Sequence, residues 1–123
     1  MAERRELFEK ALNLLAAQTE PLTGEELHAK IQLLRQLGRK ELALEVCQAT
    51  LAEQPRLADC RFELADMLFQ QGKLEQSLWQ LEIVLDQSPA HTGASELSQV
   101  VRRKIAEEGQ RRPEKRQGAS NPR

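Results

Sequence analysis

The chain has 123 residues, a formal net charge of −1 and 40% hydrophobic residues, which suits one small domain with a modest core. Its aromatic residues are three Phe and one Trp, so the core must depend on aliphatic packing. No apolar run is long enough to span a bilayer, and the first residues lack the basic start and apolar run of a secretory signal. We therefore expect a cytoplasmic protein.

The first predicted element is an amphipathic helix over residues 3–17. Its apolar residues are Leu7, Phe8, Ala11, Leu12, Leu14 and Leu15. This helix is interpreted either as an N-terminal cap or as the second helix of a degenerate repeat unit. The sequence leaves both alternatives open.

An internal repeat of 34 residues follows this helix. Gly38 and Gly72 are 34 positions apart, Pro55 and Pro89 are separated by the same interval, and several leucines recur in step with them. Stacked repeats bury a continuous core that one unit could not bury alone. The pattern therefore predicts two complete units, residues 24–57 and 58–91.

Each unit is predicted to contain two helices joined by a tight turn at its glycine. Gly38 supplies the backbone freedom that a left-handed helix end requires, and the second helix must end before Pro55. Thr23 and Glu26 have the spacing of a capping box at the start of the first helix. The predicted core residues of the first unit are Leu27, Ile31, Leu34, Ala43, Leu44, Cys47, Thr50 and Leu51.

This plan resembles the tetratricopeptide repeat family, whose unit is a helix-turn-helix of 34 residues with a Gly at the turn and a Pro after the second helix. The resemblance covers residues 24–91. Small residues that the family places where helices cross closely match Ala43, Ala65 and Ser77, whereas Ile31 replaces the family's Gly or Ala. The resemblance implies an all-α fold, an α-solenoid of antiparallel helix-turn-helix repeats.

A last helix is predicted over residues 93–107, with Ala94, Leu97, Val101 and Ile105 on one stripe. Its polar face suits a terminal helix that covers the second unit, which closes a domain of residues 1–108. Residues 109–123 contain no apolar residue larger than alanine. That composition predicts a disordered tail.

The predicted tail is basic, with five Lys or Arg residues and one acid. Its cluster of basic residues consists of Arg111, Arg112, Lys115 and Arg116. One hypothesis is an adaptor that binds nucleic acid or an anionic membrane surface through this tail. The alternative is a solubilising tail that folds back on the acidic body, and the lack of interleaved aromatic residues favours it.

Catalytic chemistry finds almost no support in the sequence. His28 and His91 have no metal-ligand spacing with a cysteine, and neither a Gly-rich phosphate loop nor a nucleophile elbow occurs. Cys47 and Cys60 are not in a C-x-x-C arrangement, so we expect small core residues. We therefore expect a non-enzymatic protein without a cofactor or a metal.

Helix geometry indicates where a partner protein could bind. In the family that the chain resembles, first helices line a concave groove that holds a peptide or helix of a partner, as in adaptors and chaperones. The corresponding residues here are His28, Gln32, Arg35, Phe62, Asp66, Phe69, Val100 and Arg103. A second interpretation packs Phe62 and Phe69 beneath the terminal helices, and the sequence does not separate the two.

The chemistry of the groove argues against one subtype of the family. Members that clamp a C-terminal carboxylate use Lys and Asn in the groove, whereas His28, Gln32 and Glu63 stand at the matching positions. Two of these residues offer no fixed cation and the third is an acid. We therefore expect an apolar or mixed peptide ligand.

Trp79 is predicted on the outward side of the second unit's second helix. A lone exposed Trp often marks an interface, and here it would support self-association into a homo-oligomer. The alternative is that the helix of residues 93–107 covers it.

Overall fold

The computed structural model of the protein describes residues 2–17 and 21–111. These residues form six α-helices and no strand, which confirms the predicted all-α fold of helical repeats. No helix in the described ranges is long and apolar enough to cross a membrane. The helices are α1 (Ala2–Ala16), α2 (Gly24–Gln36), α3 (Lys40–Glu53), α4 (Ala58–Gln70), α5 (Leu74–Gln87) and α6 (Thr92–Arg111).

The sequence repeat is also a repeat of backbone geometry. Helices α2 and α4 have 13 residues each, and α3 and α5 have 14 residues each. Both turns have the same shape, because Gly38 has φ +79° and Gly72 has φ +80°. The helices α2, α4 and α6 begin at intervals of 34 residues. The predicted left-handed glycines are confirmed, and α6 starts where the first helix of a third unit would start.

The predicted capping box at the start of α2 is present. The backbone N–H of Glu26 donates to the Thr23 hydroxyl at 3.1 Å, and the Thr23 N–H donates to the Glu26 carboxylate at 2.8 Å. Both bonds satisfy backbone N–H groups that the first turn of a helix leaves without partners. They fix the point at which α2 begins.

The core consists of two clusters that share α4. The first cluster is formed by α2, α3 and α4, and the second by α4, α5 and α6. Ala43, Ala65 and Ser77 are fully buried, as expected for small residues where helices cross. The Ser77 hydroxyl donates to the Ala65 carbonyl at 2.7 Å, which joins α5 directly to the backbone of α4. Each unit therefore completes its core only with help from its neighbour.

Helix α1 is less buried than its six apolar residues suggested. It packs on α2, and Leu12 contacts the first cluster. Leu7 and Leu14 are 65% and 72% exposed. The apolar stripe of α1 is wider than one neighbouring helix can cover, so its other side faces solvent.

Helix α6 runs to Arg111, beyond the predicted end at residue 107. The prediction of a disordered tail is therefore wrong for residues 109–111. A single Gly such as Gly109 lowers helix stability by about 1 kcal/mol without ending the helix. Residues 112–123, including Arg112, Lys115 and Arg116, lie outside the described residues, and so does the remaining prediction for the tail.

The Gly72 turn gives a testable prediction about stability. Gly72→Ala should lower the free energy of unfolding by about 1 kcal/mol, because a Cβ atom is strained at positive φ. No atom lies within 4 Å of an added Cβ there, so the loss comes from the backbone alone. Urea unfolding followed by circular dichroism measures it.

Two further variants control this measurement. Gly72→Asn should lower the free energy of unfolding by less than Gly72→Ala does, because Asn tolerates the left-handed conformation. Gly109→Ala, which lies within α6, should gain stability from helix propensity. A gain for Gly72→Ala would show that the turn does not need a left-handed residue.

Candidate functional site

The first helices of the two units meet around the carboxylate of Glu63, which is only 6% exposed. His28 Nε2 lies 3.0 Å from Glu63 Oε2, and the Gln32 amide donates to the same oxygen at 3.4 Å. The Arg35 guanidinium forms an ion pair with Oε1. The three partners come from consecutive turns of α2, so both oxygens of this buried acid are satisfied across the helix interface.

Arg35 joins this carboxylate to a second one. Its Nη2 donates to Asp66 Oδ2 at 2.9 Å, so one guanidinium bridges two acids of α4. Burial lowers the pKa of Arg35, but the hydrogen bonds to Asp66 and Glu63 outweigh that effect and raise the pKa above its ordinary value. We call His28, Gln32, Arg35, Glu63 and Asp66 the Glu63 network.

An open cleft of about 750 Å³ lies beside the Glu63 network, between α1, α2 and α4. Phe8 of α1 and Met67 of α4 give it apolar walls. Lys40, at the start of α3, adds one cation. Amide side chains from α2, α4 and the turn after α4 also line it: Gln32, Gln36, Gln70 and Gln71. The cleft therefore combines apolar surface with neutral groups that both donate and accept hydrogen bonds.

Half of the residues predicted for the groove come together here. His28, Gln32, Arg35 and Asp66 all belong to the Glu63 network. Their hydrogen bonds to Glu63 and to one another hold α2 against α4. Gln32, Arg35 and Asp66 also line the cleft, whereas His28 does not. This internal pairing was not apparent from the sequence.

The two predicted groove phenylalanines lie elsewhere. Phe62 and Phe69 pack against the second core cluster and do not line the cleft. The Phe62 ring lies 5.0 Å from the His91 ring and faces Gly93 at the start of α6. Their placement agrees with the second interpretation, in which they pack beneath the C-terminal helix. Helical spacing showed that they share a stripe, but not which neighbour that stripe meets.

The two residues predicted on α6 are also outside the cleft. Val100 is 39% exposed, and Arg103 is exposed as well. The structure adds Phe8, and it gives the central place to Glu63, which the sequence comparison places in the groove without a partner. The two repeat units differ at the position of Glu63, since its counterpart in the first unit is Ala29. The charge in place of a small apolar residue could have marked Glu63 as a functional candidate. No sequence feature set Phe8 apart from the other apolar residues of α1.

Trp79 is 65% exposed on α5. The alternative in which the C-terminal helix covers it is therefore wrong. Self-association through Trp79 stays a prediction.

Cys47 and Cys60 are buried and free, which confirms them as core residues. The Cys47 thiol donates to the Cys60 carbonyl at 3.0 Å, across the contact between the two units. Burial raises the pKa of Cys47 to about 12 and that of Cys60 to about 11. Both thiols are therefore neutral at physiological pH. Within the described ranges, no group of three or more His, Cys, Asp or Glu side chains could hold a metal ion.

Comparisons of the chain with protein-family models, with curated proteins and with solved structures found no match. The resemblance to tetratricopeptide repeats therefore stays a prediction that depends on the residues quoted above.

Removing the central carboxylate should destabilise the fold. We expect Glu63→Ala to lower the free energy of unfolding by about 3 kcal/mol, because it leaves a partly buried guanidinium short of one partner. Denaturant unfolding measures the change. Glu82→Ala is the matched control: it removes an exposed ion pair with Arg102 at 3.4 Å and should cost about 0.5 kcal/mol or less. Equal losses for the two variants would contradict a structural role for Glu63.

The buried thiols predict a loss of stability at high pH. An unfolded thiol titrates near pH 9.0, whereas the folded thiols hold their protons up to about pH 11 and 12. The folded state therefore binds more protons in this window, and the free energy of unfolding falls as pH rises through it. A Cys47→Ala, Cys60→Ala variant should show a shallower fall in denaturant unfolding. An unchanged slope would assign the pH dependence to other groups.

Proposed function

We propose that the chain is a non-enzymatic interaction module of the tetratricopeptide type, an adaptor or chaperone that holds a peptide or helix of another protein. The observation that carries this proposal is the open cleft between α1, α2 and α4. Its walls pair the apolar side chains of Phe8 and Met67 with a polar margin, the composition that recognition surfaces use.

The charges near the cleft favour a ligand that is apolar or mixed. Arg35 is engaged by Glu63 and Asp66, so Lys40 is left as a single cation at the cleft, with two carboxylates nearby that disfavour an anionic ligand. The glutamine amides around the cleft both donate and accept, which matches the N–H and C=O groups of a peptide main chain. Binding of this kind should tolerate salt, because few unpaired charges take part.

Other roles predicted from the sequence have no support among the described residues. The nucleic-acid or anionic-membrane adaptor depends on the basic C-terminal segment, most of which lies outside them. The cytoplasmic location and the absence of catalysis also stay predictions.

Peptide display against the full chain tests the proposal. Selected peptides should bind the wild-type chain in calorimetry and shift the backbone NMR signals of cleft residues. Phe8→Ala should lower the affinity of the selected peptides by about tenfold, because it removes an apolar wall of the cleft. Leu7→Ala is the matched control: it is the neighbouring residue but is exposed outside the cleft, and affinity should stay unchanged.

Three outcomes would contradict the proposal. The first is that no peptide is selected. The second is that Phe8→Ala and Leu7→Ala bind equally well, which would place the ligand outside the cleft. The third is that binding is lost from a chain ending at Arg111 and falls steeply with salt, which would move the function to the basic segment.

A further inference from the structure

A second surface lies on the outer side of α5. Glu75, Trp79, Glu82 and Asp86 are spaced i, i+4, i+7 and i+11, so they form one stripe of this helix, and all four are exposed. Helix α5 contains no Lys or Arg. We call this stripe, with the groove beside it, the Trp79 surface.

The groove of the Trp79 surface separates α5 from α3. These two helices do not pack on each other in the described part of the chain, and α4 lies beneath them. Leu64 and Leu68 of α4 form the apolar floor of a groove of about 410 Å³. Gln48 of α3 lies on one wall, and Trp79 and Gln80 of α5 lie on the other. An extended side chain entering here would contact leucine below and the indole beside it.

The charges around this groove are mainly negative. Glu41 and Glu45 are exposed on α3, and Glu75 lines the groove on α5. Arg102 pairs with Glu82 at 3.4 Å, whereas Arg61 donates to two neutral groups, Gln80 at 2.7 Å and a backbone carbonyl. Lys73 is exposed at the start of α5, so the carboxylates around the groove outnumber the cations without removing them. Among the described residues, Glu75 has no ion-pair partner.

We propose that the Trp79 surface binds a segment of a partner protein that carries Arg or Lys. The aliphatic stem of such a side chain fits over Leu64 and Leu68, while its charged end meets the Trp79 ring and Glu75. Trp is the aromatic side chain that attracts cations best, and neighbouring carboxylates add to that attraction. An anionic partner would be repelled by the same carboxylates.

Charge also disfavours self-association through this surface, and that self-association stays a prediction from the sequence. Two copies of the stripe placed face to face would bring Glu75 and Asp86 of each chain together, in addition to Glu82 with its partner Arg102. Like charges in contact disfavour such an interface. The surface is therefore suited to a different partner, and it lies apart from the cleft lined by Phe8.

The probe for this proposal is a synthetic peptide of alternating Arg and Gly residues, titrated into the full chain. Trp79 is the chain's single Trp, so its fluorescence reports the site directly. We expect a saturable change that weakens as salt increases. Glu75→Gln should weaken binding by about threefold, and Trp79→Ala, measured by calorimetry, by about fivefold.

Matched controls separate this site from general attraction to an acidic protein. A peptide with citrulline in place of Arg keeps the shape without the charge and should not bind. Glu107→Gln removes an exposed acid of α6, away from the groove, and should leave the affinity unchanged. The Arg peptide and the fluorescence of Trp79 report on the Trp79 surface and use no residue of the cleft lined by Phe8, so failure here is distinguishable from failure of the proposed peptide cleft.

Several results would overturn the proposal. Equal binding of the citrulline peptide, or equal effects of Glu75→Gln and Glu107→Gln, would show that no specific cation site exists. A change in Trp79 fluorescence on dilution without peptide would identify a second copy as the occupant. A change on ending the chain at Arg111, again without peptide, would identify the chain's own C-terminal segment as the occupant.

Discussion

The contact between α2 and α4 fixes two walls of the proposed peptide cleft, and the carboxylate of Glu63 lies at its centre. Three side chains of α2 reach this one acid, and Arg35 continues to Asp66 one turn further along α4. A buried charge with several partners adds little net stability compared with apolar packing, but a shifted register would leave it without them. The network therefore sets the relative position of the first helices more than it adds to the free energy of folding.

Helix α4 contributes side chains to both surfaces. Met67 lines the cleft shared with α1 and α2, while Leu64 and Leu68 form the floor of the groove between α3 and α5. All three side chains also belong to the first core cluster. A partner on either side therefore presses on the same packed layer, and movement of α4 would alter both surfaces together.

The elements that depend on local chemistry could be predicted from the sequence. Gly38, Gly72 and the Thr23 capping box act within a few residues, and the spacing of small residues encodes where helices cross. The candidate site was harder to predict, because its contacts join residues 28 to 35 positions apart. A stripe such as that of Phe62 and Phe69 is visible in the sequence, but the neighbour that it meets is decided by how whole helices stack. The stacking of whole helices also decides which apolar residues of α1 are left exposed, such as Leu7 and Leu14.

The identical geometry of the two turns affects how this array can lengthen. Helix α6 begins in register with α2 and α4, yet Gln99 and Arg102 occupy the positions that Ala65 and Leu68 hold in α4. A helix pair added against that face would have to bury the amide of Gln99 and the exposed ion pair of Arg102 with Glu82, which removes both from water. Duplication of an internal unit would instead reproduce contacts that already exist. The array is therefore expected to lengthen by tandem duplication of an internal unit. Addition of a unit against the exposed face of α6 is disfavoured.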